Sequence, residues 1–103
     1  MKYSENLITR TIRALENHPT KTVWNVHKRT QYDTFTEIRF ENVDGKQMSI
    51  NIGETEISAI AYSETRPNGF KWFGDCHMQQ NSIDSYMMWL GITVEKMLAY
   101  FEN

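Results

Sequence analysis

The sequence predicts a two-layer α+β domain. An antiparallel sheet of about five strands carries N- and C-terminal helices on one face, in the order α-β-β-β-β-β-α. Three observations carry that expectation. Apolar residues recur at helical spacing near both ends of the chain. They alternate with polar residues through the middle. Short turn signals separate the alternating runs. With 103 residues, 40% of them hydrophobic and 23% charged, the chain has the length and composition of one globular domain over residues 1–103.

Residues 4–17 set Leu7, Ile8, Thr11, Ile12 and Leu15 on one helical stripe, with Asn6, Arg10, Arg13 and Asn17 opposite. Ser4 offers the hydroxyl that an N-cap needs. His18-Pro19 closes the helix, because proline disfavours helical geometry in the residue before it. Residues 21–29 change to a period of two, with Trp24 and Val26 against Val23, Asn25 and His27. In residues 32–42, Tyr32, Thr34, Thr36, Ile38 and Phe40 oppose Phe35, Glu37, Arg39 and Glu41. Val43-Asp44-Gly45-Lys46 supplies a hairpin turn, Asp-Gly being suited to positive φ, and Met48, Ile50 and Ile52 return along the buried side.

Residues 56–63 fit both periods; their short length and β-branched content select a strand. Arg66-Pro67-Asn68-Gly69 reads as a turn. Residues 70–78 alternate, Phe70, Trp72, Gly74, Cys76 and Met78 against Lys71, Phe73, Asp75 and His77. After a cap at Ser82, Ile83, Tyr86, Met87 and Leu90 face inward, and Val94, Met97, Leu98 and Phe101 form a second stripe behind Thr93. Gly91 between them admits either one kinked helix or two.

No apolar run reaches the roughly 18 residues that span a bilayer. The first residues open directly into an amphipathic pattern, unlike a signal peptide. One cysteine, Cys76, cannot form an internal disulfide. Together these features predict a cytoplasmic protein with no membrane partner. Net charge is −2 but unevenly spread. Residues 1–31 hold six basic side chains (Lys2, Arg10, Arg13, Lys21, Lys28, Arg29) against Glu5 and Glu16, and acids dominate the rest.

The residue patterns argue against an enzyme. Cys76 and His77, adjacent on a strand, point to opposite faces, and a lone cysteine is more often a small buried apolar residue than a nucleophile. One Cys and three His fall short of a structural zinc set, and the i, i+3 and i, i+4 spacings of helical metal ligands are absent. The sequence therefore predicts no metal and no cofactor. The isolated glycines build no phosphate cradle, and no nucleophile elbow or dinucleotide fingerprint is present.

What remains is a spare sheet face. Phe35, Glu37, Arg39, Glu41 and Phe73 are expected to share the side away from both helices, as an amphipathic patch for a protein partner. On that reading the protein is a non-catalytic binder of the inhibitor, immunity or adaptor kind. A second reading is a nucleic-acid-binding module using Arg10, Arg13, Lys21, Lys28 and Arg29, with aromatic residues to stack bases; the acids of the same sheet oppose it. A third is a small ligand-binding or enzymatic domain, with a pocket between helices and sheet that uses His27 or His77. Homodimerisation through an edge strand or the free face fits the same pattern.

Overall fold

The computed structural model describes residues 4–18, 23–62, 69–77 and 83–102. Helix α1 (Ser4–Glu16) precedes β1 (Trp24–Gln31), β2 (Phe35–Asn42), β3 (Gln47–Gly53), β4 (Glu56–Tyr62) and β5 (Phe70–His77), and α2 (Ile83–Glu102) closes the chain. The strands form one antiparallel sheet in the order β1-β2-β3-β4-β5. Lys21, the Arg66-Pro67-Asn68 part of the expected turn, Met78 and the Ser82 cap lie outside the described residues.

Register explains the core. Ile38 lies opposite Ile50, which lies opposite Ala59; Phe40, Met48 and Ala61 form the next row, and Ile52 and Ile57 continue the pattern. These side chains project to one face and are buried there with Leu7, Ile8 and Leu15 of α1 and Tyr86, Leu90, Val94 and Met97 of α2. Alanine on β4 leaves room for the helices to sit close. Trp24 is buried at the other end, its ring tilted against Phe101 with centroids 5.4 Å apart.

The β2–β3 hairpin turns where expected, but by different chemistry. Within the turn, only Gly45 takes positive φ (82°). Asp44 does not; the turn is held by the Asn42 side chain, whose Oδ1 accepts from the backbone N–H groups of Asp44 (3.0 Å) and Lys46 (2.9 Å).

The C-terminal segment is one helix of 20 residues. Thr93 is buried within it and caps nothing. Gly91 sits on its solvent side, where an added Cβ would meet nothing within 4 Å. Packing of the two flanking stripes carries the helix across a poor helix former.

Inside the helix layer, the Thr11 hydroxyl donates to the Leu7 carbonyl (2.7 Å), so the buried Tyr86 phenol must be the donor in its bond to Thr11. Burial pushes the Tyr86 phenol well above its ordinary value. The unfolded chain therefore loses this proton near pH 10 while the folded chain keeps it, so stability falls as pH rises past that point. Replacement Tyr86→Phe should flatten the alkaline part of a urea-unfolding series above pH 10. Replacement Gly91→Ala should raise stability by about 0.5–1 kcal/mol in the same assay at neutral pH.

Candidate functional site

The outer sheet face lies opposite both helices, and two bulges determine what it displays. On β1 the register slips at His27: Val26 faces Phe40, and Lys28 faces Arg39. Lys28 therefore turns outward and Arg29 inward, where it pairs with Glu5 of α1 at 2.6 Å. On β5 the slip falls at Phe73: Trp72 faces Ile60, and Gly74 faces Ala59 with φ of 126°. An extra residue in one strand reverses the alternation beyond it.

That second bulge corrects the expected patch. Phe73 is not on the outer face. It packs against the core edge-on to Tyr100 of α2, with ring centroids 5.6 Å apart. Phe70 and Trp72, expected inside, take the outer side instead. Trp72 is 56% exposed, and Phe70 lies opposite Tyr62 as Trp72 lies opposite Ile60. The face thus carries a contiguous apolar corner of Ile60, Tyr62, Phe70 and Trp72. Phe35 is on the expected side, 37% exposed, and stacks on Tyr32 at the far corner with centroids 4.7 Å apart.

Glu37 projects from the expected face but is only 7% exposed. Arg39 and Tyr62 lie over it. The Arg39 guanidinium stacks on the Tyr62 ring, 4.3 Å from its centroid, and its Nη2 donates to Glu37 Oε2 (3.1 Å) and to the Tyr62 hydroxyl (2.9 Å). The Tyr62 hydroxyl donates in turn to the same Glu37 oxygen (2.7 Å). Burial alone disfavours the Arg39 charge, but the bond to Glu37 and the neighbouring Tyr62 outweigh it, and the guanidinium titrates above its ordinary range. Burial likewise raises the Tyr62 phenol. Ser49 is fully buried beneath this lid; its hydroxyl lies beside Tyr62 but misses hydrogen-bond geometry. Glu41, the other acid of the expected patch, is engaged by His27 (3.3 Å) and Gln47 (3.0 Å). The centre of the face is therefore a neutralised polar network and not an open row of carboxylates.

The described residues of the nucleic-acid reading do not share one surface. Arg10 and Arg13 lie exposed on α1, Lys28 on the outer sheet face, and Arg29 on the helix side. The two histidines of the ligand-binding reading sit on opposite edge strands. His27 meets Glu41, whereas His77 meets Asp75 (3.6 Å) and Glu56 (3.8 Å). The Glu56 carboxyl is raised by its hydrogen bond with Asp75. Cys76 faces the core, opposite Ile57, and burial raises its thiol, the reverse of what a nucleophile needs.

Phe70 and Trp72 are the outer-face features that strict alternation hides, whereas Asp75 and His77 lie on the side that it predicts. The signal was Gly74, because an isolated glycine within a strand marks a bulge. No family model, curated protein or solved structure matches the chain.

Removing one partner of a buried charge pair leaves the other uncompensated. Replacement Arg39→Ala should cost about 3 kcal/mol in urea unfolding. The double variant Glu37→Gln/Arg39→Ala should be less destabilised than the two single losses added together, giving a clear coupling energy in the double-mutant cycle.

Proposed function

We propose that the protein acts without catalysis, by binding another protein through the outer sheet face. The observation that carries this reading is the apolar corner of half-buried Ile60 and Tyr62 with exposed Phe70 and Trp72, joined through Tyr62 to the stacked and hydrogen-bonded Arg39. Aromatic and arginine side chains supply most of the energy at protein interfaces, and those already held by neighbours lose little freedom on docking. Arg39 and Tyr62 are held in this way.

Face binding also fits the sheet better than strand addition at an edge. Both edge strands carry a bulge, at His27 on β1 and at Phe73 on β5, and bulges discourage further pairing. An inhibitor, immunity or adaptor role in the cytoplasm is consistent with such a surface, and a second copy of the chain is one partner that the same patch can accept. The buried Glu37 belongs to the scaffold of the patch. Its charge reversal would strike the Arg39 network and is not a clean probe of binding.

Replacement Trp72→Ala removes an exposed ring and should leave urea stability within about 0.5 kcal/mol of the parent. The test is crosslinked affinity purification from the host after nuclease treatment, with affinity then measured on the recovered partner. Trp72→Ala should weaken that affinity by roughly 30-fold or more, whereas Arg10→Ala/Arg13→Ala should leave it unchanged. A partner held equally well by Trp72→Ala would overturn the assignment of this face. Loss of the partner on nuclease treatment would favour the nucleic-acid reading.

A further inference from the structure

We infer that Glu56, Asp75 and His77 form a site for a single divalent transition-metal cation at the β4–β5 end of the outer face. Glu56 lies directly opposite His77 in the β4–β5 ladder, and Asp75 precedes His77 by two residues on the same strand. All three side chains therefore leave one face of two hydrogen-bonded strands. Their ligand atoms lie within 4.8 Å of one another; His77 Nε2 is 3.6 Å from Asp75 Oδ2 and 3.8 Å from Glu56 Oε2. Metal–ligand bonds of about 2.0–2.2 Å set two ligands of one ion roughly 3–3.5 Å apart, so small side-chain rotations close the triad on an ion.

The donor chemistry selects the class of ion. One imidazole nitrogen with two carboxylate oxygens suits zinc, manganese or iron(II). Calcium and magnesium take oxygen ligands alone. Three protein ligands leave coordination positions for water or for a donor on a docked molecule.

Two observations separate this cluster from ordinary surface pairing. His27 with Glu41 and His18 with Glu95 each join one imidazole to one carboxylate. Among the described residues, only His77 has a second carboxylate within ligand reach. The β5 bulge is the other. Alternation from the buried Cys76 places Asp75 and His77 on the outer side with Glu56, and the extra residue at Phe73 brings Trp72 onto that same face beside them. Bulges gather beside functional sites, where they re-aim side chains in this way.

The test is isothermal titration of the full chain with zinc chloride at neutral pH, with the His77 ring protons followed by NMR. The expected result is a saturable isotherm of one ion per chain and a shift of the His77 signals. Affinity should fall roughly 10-fold or more in His77→Ala and in Asp75→Asn, and stay at the parent value in His27→Ala. These side chains are at the surface, and circular dichroism checks that each variant is folded. A flat isotherm, or one that His77→Ala and Asp75→Asn leave unchanged, overturns the site. Neither result bears on the Trp72 surface, which Trp72→Ala tests separately.

Discussion

The structure depends on the register of three central strands. Ile38, Ile50 and Ala59 form one row and Phe40, Met48 and Ala61 the next, so the buried apolar side chains of these strands land on the side that the helices cover. A slip of one residue between β2 and β3 would send this set to the other face and bring Glu37, Arg39 and Glu41 beneath Tyr86 and Leu90. The Asn42–Gly45 turn prevents such a slip: it fixes the hairpin through two backbone N–H bonds to one side-chain oxygen. Two amphipathic helices then need only a flat apolar surface, and Gly91 can be tolerated within α2 because the stripes on either side of it are already committed to that surface.

The same register creates the polar centre of the other face. Glu37 and Arg39 are two residues apart on β2, and Tyr62 reaches them across β3, over Ser49. A buried carboxylate is costly unless it is paired and hydrogen-bonded, and Glu37 has both a guanidinium and a phenol on one oxygen. The network therefore resembles a second, polar core laid over the sheet. It restrains the Arg39 and Tyr62 side chains and leaves the aromatic corner next to them on a rigid base.

Much of this was legible in the sequence. Element order, the β2–β3 hairpin, the buried row through Ile38 and the outward side of Phe35, Glu37, Arg39 and Glu41 all follow from the period of the apolar residues. The burial of Glu37 does not. It depends on Tyr62, 25 positions away, and no local pattern announces a lid of that kind. The placement of Phe73 failed for another reason. Alternation is a rule about regular strands, and one inserted residue at the bulge exchanges Trp72 for Phe73 while leaving Cys76 inside as expected. The same device on β1 exchanges the sides of Lys28 and Arg29, turning Lys28 outward and Arg29 inward. Spacing rules for metal ligands on helices are equally blind to Glu56, Asp75 and His77, whose proximity is a property of strand pairing.

The two bulges are thus the point where the fold and the proposed activities meet. A bulge weakens an edge strand as a template for pairing and also changes which side chains face solvent. On β1 the change puts His27 next to Glu41 and Lys28 next to Arg39. On β5 it places Trp72 on the outer face whose other end already carries Asp75 and His77. Without the extra residue at Phe73, either the aromatic ring or the carboxylate and imidazole would have to face the core, since strict alternation cannot place both outside while Cys76 packs inside. That single irregularity reconciles an apolar interior with a face bearing both an aromatic anchor and a set of metal-type donors, and its geometry is supported by Gly74 at a φ of 126°, which a side chain rarely adopts.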